Sequence, residues 1–218
     1  GIYASRIQAY NNLGVCYTEW GRYTEAEGAL RTALDFSVQS EFGLKDKMVS
    51  LDNLAILSYE QRKFEDSLNY ARMSLEANAP LESRRAWLCS LGIAGLCSLH
   101  LGRLADAREY EREISIGPKL EEYWLSDISY AEIFLARMQH HRGRTPAAVA
   151  RLEWCAEAFE GRDFFCSNRM KVERLRLSLD RNRDVALRDI RNLLPELRAA
   201  LAGTLASRLE EVLNRVHP

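Results

Sequence analysis

The chain has 218 residues, 47 % of them hydrophobic and 28 % charged, with 30 lysines and arginines against 31 aspartates and glutamates. That length suits one large domain or a short array of repeats, and the composition excludes disorder, collagen and low complexity. The net charge of −1 argues against a dedicated nucleic-acid binder, and five prolines with twelve glycines are too few for the many turns of an all-β fold.

A first helix is predicted over 3–20, where Tyr10, Leu13 and Tyr17 recur at helical spacing until Gly21 breaks the run. A second follows over 23–39, with Tyr23, Ala26, Leu30, Ala33 and Leu34 on one stripe. The short loop between them forces an antiparallel hairpin. Ser40-Glu41-Phe42-Gly43, Asn78-Ala79-Pro80, Ile116-Gly117-Pro118 and Glu160-Gly161-Arg162-Asp163 then punctuate the chain. The helices between these breaks are predicted over 45–61 and 64–77, 81–101 and 104–115, and 119–142 and 145–159. Beyond residue 163 the pattern weakens to helices over 166–181 and 184–194. A terminal helix over 196–216 carries Leu197, Leu201, Leu205, Leu209, Val212 and Val216 on one side and is expected to cap the array. No stretch reaches the roughly 18 apolar residues of a membrane helix. The chain opens on Gly1-Ile2-Tyr3 with no signal-peptide pattern, which reads as a domain cut from a longer polypeptide. An apolar flank around Ile2, Ile7 and Tyr10 is then expected to lie exposed.

These elements repeat in phase. Gly21-Arg22-Tyr23, Arg62-Lys63-Phe64, Gly102-Arg103-Leu104 and Gly143-Arg144-Thr145 are each followed three residues later by a small side chain: Ala26, Ser67, Ala107 and Ala148. The intervals are 41, 40 and 41 residues. Ten residues before each third member stands an apolar–small pair: Leu13-Gly14, Leu54-Ala55, Ala94-Gly95 and Leu135-Ala136. A constant period near 40 is the mark of a solenoid, and the small residues let paired helices approach closely.

The string Tyr10-Asn11-Asn12-Leu13-Gly14-Val15-Cys16-Tyr17, with Gly21, Tyr23, Ala26, Leu30 and Ala33, resembles a tetratricopeptide repeat, or TPR. The likeness is good over 3–160 and degenerate beyond 163. Arg62 stands where the family prefers glycine, Glu111 where it prefers an apolar residue and Thr145 where it prefers an aromatic one. The period exceeds the family's usual 34 residues and is similar to that of bacterial regulator sensor domains. The resemblance implies an all-α, right-handed superhelical solenoid of antiparallel hairpins over 1–218. It further implies a ligand groove lined by the first helix of each pair. Mapped onto this chain, the groove candidates are Asn11, Val15, Asn53, Ile56, Leu96, Ile133 and Arg137. An asparagine amide both donates to and accepts from a peptide backbone, which makes Asn11 and Asn53 the sharpest of these. The family's clamp for a chaperone carboxylate tail does not carry over, because Cys89 and Ile93 stand where it needs basic residues.

No nucleophile, acid–base pair or metal set is visible, so neither an enzyme nor a cofactor is expected. His140 and His141 project about 100° apart on a helix and cannot readily share one ion. Cys16, Cys89, Cys97, Cys155 and Cys166 are odd in number and widely spaced. They read as small buried hydrophobes of a reducing, cytoplasmic compartment rather than a disulfide framework. Twenty-five arginines to five lysines accompany GC-rich bacterial coding. The reading is a protein- or peptide-binding regulatory domain of a larger bacterial signalling or transcription protein, with no contact to nucleic acid or membrane. The alternative is a stand-alone scaffold that assembles a complex or its own homodimer.

Overall fold

The computed structural model describes residues 2–39, 43–79, 84–116, 125–179 and 182–216. These form eleven α-helices and, among the described residues, no strand. They are α1 (Ile2–Glu19), α2 (Tyr23–Gln39), α3 (Leu44–Glu60), α4 (Phe64–Asn78), α5 (Arg84–His100), α6 (Leu104–Ile116), α7 (Leu125–His141), α8 (Thr145–Phe159), α9 (Phe164–Ser178), α10 (Arg183–Ala199) and α11 (Gly203–Val216). The punctuating residues 40–42, 80 and 117–118, the expected helical stretches 81–83 and 119–124, and the side chains of Ile2 and Val216 lie outside the described residues.

One turn recurs because one backbone solution closes five of the connections between helices. The N–H groups of Arg22, Lys63, Arg103, Arg144 and Ala202 donate to the carbonyls of Tyr17, Ser58, Ser98, Gln139 and Leu197 at 2.8–2.9 Å. This six-residue closure needs a left-handed residue just before the donor. Gly21, Gly102 and Gly143 fill that place without steric cost, whereas Arg62 (φ 62°) and Leu201 (φ 57°) fill it against the preference of their side chains.

The fifth such turn corrects the sequence reading. A break was expected at Pro195, with a last helix over 196–216. Helix α10 instead runs through Pro195 to Ala199, and the turn at 200–202 joins it to α11. A proline inside a helix costs about 3 kcal/mol. The stripe Ala186, Leu187, Ile190, Leu193, Leu194 and Leu197 is continuous across it and buried. Each large side chain among these contributes roughly 1.5–3 kcal/mol, so burial outweighs the proline. Leu201 therefore sits in the turn, exposed, rather than on the apolar stripe of a terminal helix.

The chain divides into two compact units. The first comprises residues 1–18 and 22–131, and the second comprises 19–21 and 132–218, with the boundary falling inside α7. In the first unit, Ala26, Leu30, Leu54 and Leu57 form one core cluster, bordered by Tyr17, Tyr23, Leu34 and Tyr70. Met48, Leu51 and Ala77 form another. Gly14 is where α1 and α2 touch: a Cβ there would lie 2.4 Å from Leu30 Cδ2. Ile7 is fully buried, contrary to the expected exposed flank, while Tyr10 and Leu13 stay partly open. Helix α5 is buried at Leu88 and along Ser90–Ser98, as its nearly continuous apolar character requires. In the second unit, Val172, Leu175, Ile190, Leu193, Leu194, Leu197, Ala202, Leu205 and Leu209 share one core. Arg169 pairs there with Glu19.

Candidate functional site

Helices α1 and α3 of the first unit are joined by amides. Asn11 Nδ2 donates to Ser50 Oγ at 3.1 Å, and Asn11 Oδ1 accepts from Asn53 Nδ2 at 3.2 Å. Ser50 Oγ in turn donates to the Asp46 carbonyl at 3.0 Å. Asn11 is buried and Asn53 half-buried. An amide offers two donors and an acceptor oxygen with two lone pairs. This pairing uses one donor of each asparagine and leaves capacity for a further partner on Asn53, the more open of the two. One turn further along the same stripes come Val15 on α1 and Ile56 on α3. Val15 is 40 % exposed and Ile56 half-buried, while Gln8, Asn12 and Val49 also reach solvent. This face offers amides beside aliphatic side chains.

The structure corrects the assignment of Asn11 to a free groove wall. It stands three residues before its small residue, Gly14, and touches the residue five before the small residue of the next repeat, Ser50. The same relation recurs. Asp52 accepts from Ser90 Oγ at 2.5 Å, and the Cβ missing from Gly92 would fall 2.4 Å from Ala131 N. This position therefore lies between successive first helices and fastens one repeat to the next. Leu96 and Ile133 are buried too, at 0 % and 2 % exposure, so neither lines an open groove as expected. The periodic pattern identifies the helix face but not how closely the neighbouring first helix covers it.

Ile133 and Arg137 belong to the second unit. Arg137 was expected to face solvent, yet its Nε and Nη2 both donate to Glu173 Oε2, at 3.2 and 2.6 Å. Glu173 Oε1 accepts from Arg176 Nη1 at 3.0 Å and Arg208 Nη1 at 3.5 Å. Burial alone would push this carboxyl up. The charges of Arg137, Arg176 and Arg208 outweigh that and hold it well below the usual carboxylate range. Sequence reasoning missed Glu173, because a carboxylate three residues before an arginine reads as an ordinary exposed helix pair. Its signal was a charge between Val172 and Leu175, both buried. A second buried carboxylate, Glu132, pairs with Arg151.

Among the described residues no group of three or more His, Cys, Asp or Glu is placed to hold a metal ion. His140 Nδ1 lies 2.9 Å from Thr145 Oγ1 across the α7–α8 turn. Cys97, Cys155 and Cys166 are buried as expected, but Cys16 is exposed and Cys89 partly open. Burial pushes the Cys97 thiol up to about 11, against the lowering effect of its hydrogen bond to Ser67 Oγ. Burial, with the nearby charge of Glu132, pushes the Cys155 thiol up as well. No described helix is long and apolar enough to cross a membrane.

Residues 5–79 match the tetratricopeptide repeat family. Among solved structures, the Rap conjugation gene regulator of the plasmid pLS20, in complex with the Phr* peptide, is similar to this chain with a TM-score of 0.62. The sequences are 16 % identical, and the match covers 97 % of this chain and 64 % of the Rap chain. This chain thus spans under two thirds of that protein's length. No curated protein matches the sequence. The fold is a TPR-like helical solenoid.

Proposed function

We propose that this chain is a non-enzymatic peptide-recognition module, part of a larger bacterial cytoplasmic regulator, and that it reads its ligand on the α1–α3 face of the first unit. The observation that carries the reading is the amide pair Asn11–Asn53 set beside exposed Val15 and half-buried Ile56. An extended peptide exposes backbone donors and acceptors that Asn53 can meet, and small apolar side chains that Val15, Val49 and Ile56 can cover. The likeness to a Rap regulator bound to a peptide supports the same reading.

Selection of a displayed random dodecapeptide library against the purified chain tests it, with affinities then measured by calorimetry. The selected peptides should lose at least about tenfold in affinity on Val15→Asp or Ile56→Asp, because a charge would meet the ligand's apolar anchors. They should be indifferent to Arg108→Ala, an exposed residue on second helix α6. Absence of any enriched peptide, or loss of binding only on second-helix substitutions, would overturn the assignment.

A further inference from the structure

We infer that the side of α1 carrying Ala9, Leu13 and Cys16 is a docking surface for one further helical hairpin of the repeat type, supplied from outside these 218 residues. These three residues stand roughly 140–200° round the helix from Asn11, which faces α3. The surface is separate from the proposed peptide face and does not depend on it.

With Gly14 set against Ala55 and Gly95, the counterparts of Ala9 are Ser50 and Ser90, those of Leu13 are Leu54 and Ala94, and those of Cys16 are Leu57 and Cys97. All six counterparts are buried, none more than 2 % exposed, whereas Ala9 and Cys16 are exposed and Leu13 is 40 % open. The counterparts are covered by the hairpin before them. Leu54 and Leu57 share a core with Ala26 and Leu30 of α2. Cys97 Sγ lies 3.2 Å from Ser67 Oγ, the residue of α4 that corresponds to Ala26. Ser50 and Ser90 meet Asn11 and Asp52 of the preceding first helices. A hairpin continuing this interface onto α1 sets the small residue of its second helix on Cys16 and lays its first helix over Ala9.

Ala9 also defines what that first helix carries. It has no hydroxyl, so an amide or carboxylate placed like Asn11 or Asp52 would be buried there without a partner. The fourth counterpart is Ala131, and α5 meets it with Gly92, whose missing Cβ would fall 2.4 Å from Ala131 N. The occupant of the α1 surface therefore presents a small residue, as α5 does. A helix that ends a stack needs a polar outer face. Helix α10 shows such a face, exposing Arg183, Asp184, Arg188, Arg191, Glu196 and Arg198. Helix α1 has no charged residue between Arg6 and Glu19.

The test grafts a copy of residues 84–124 ahead of residue 3, in place of Gly1 and Ile2, in the register in which those residues precede Leu125. Maleimide labelling of Cys16, read by peptide mass spectrometry, should slow at least about tenfold relative to the ungrafted chain, and Tm should rise. A copy of residues 44–83 grafted at the same point presents Asp52 to Ala9 and should protect Cys16 less. Ala9→Ser in that graft supplies the hydroxyl and should restore the protection. Circular dichroism establishes that each protein is folded. If the 84–124 graft is not, the 44–83 graft with Ala9→Ser carries the same test. Unfolding of both, or labelling of Cys16 at the ungrafted rate in the folded grafts, would overturn the inference. So would a concentration-dependent dimer of the ungrafted chain, seen by sedimentation velocity, that protects Cys16, because it would assign the surface to a second copy.

Discussion

Gly92→Ala pits helix propensity against packing, and the geometry decides the sign. In a helix interior alanine is favoured over glycine by about 1 kcal/mol. A Cβ on Gly92, however, would stand 2.4 Å from Ala131 N, 2.6 Å from Tyr130 C and 2.7 Å from Ala131 Cα. Ordinary contact begins near 3.4 Å, so α5 and the start of α7 must part by about 1 Å. The atoms in the way are backbone, which cannot rotate aside as a side chain can. Overpacking of this kind typically costs about 1–3 kcal/mol, with the upper end expected where backbone must move. The net loss is then about 1–2 kcal/mol, at roughly 2–4 °C in Tm per kcal/mol for a chain of this size. Gly28→Ala is the matched control, since Gly28 is exposed on α2 and its Cβ would meet nothing within 4 Å. It should gain about 1 kcal/mol. Urea and thermal unfolding followed by circular dichroism measure both. A Gly92→Ala protein as stable as wild type would refute the close approach of α5 and α7.

Arg62→Gly and Leu201→Gly should each stabilise by about 0.5–1 kcal/mol, because each relieves a left-handed residue at the recurring hairpin turn. Thermal denaturation reads this, and a loss of stability in both would contradict the turn geometry. Glu173→Gln should destabilise the second unit by about 3 kcal/mol at pH 7, since it leaves three arginines without their common partner. The carboxyl is depressed in the folded state, so its contribution is full above the unfolded value near 4.3 and falls as the pH drops below it, by about 1.4 kcal/mol per pH unit. Urea titrations of wild type and variant should therefore converge in acid; a constant gap down to pH 3 would contradict the depression. Maleimide labelling with mass spectrometry should modify Cys16 first and leave Cys97 and Cys155 until unfolding, because both are buried and their thiols are held protonated. Early modification of Cys97 would contradict its placement.

The period near 40, the hairpin turns and the small residues at helix crossings were legible because each repeats one physical requirement four times. Gly14 against Leu30 is such a crossing, read from the Leu13-Gly14 pair and found as a contact. The division into helices over 184–194 and 196–216 was misplaced because it split one apolar stripe, Ala186 to Leu197, whose burial runs unbroken through Pro195. Asn11 was legible as a first-helix amide. Its burial was not, since that depends on Ser50 and Asn53, some forty residues away, entering hydrogen-bonding range. Glu173 was missed for the same reason: its flanking Val172 and Leu175 hint at burial, but only the packing of α7 and α11 against α9 brings Arg137 and Arg208 to it.

The central claim is that a peptide lies on the first-helix face of the first unit, and site-directed photocrosslinking tests it most directly. A benzophenone amino acid placed at Val15 or Val49, each with over a third of its surface exposed, should crosslink a library-selected peptide. The same group at Met73, equally open but on second helix α4, should not. Crosslinking confined to position 73, with positions 15 and 49 silent, would contradict the account.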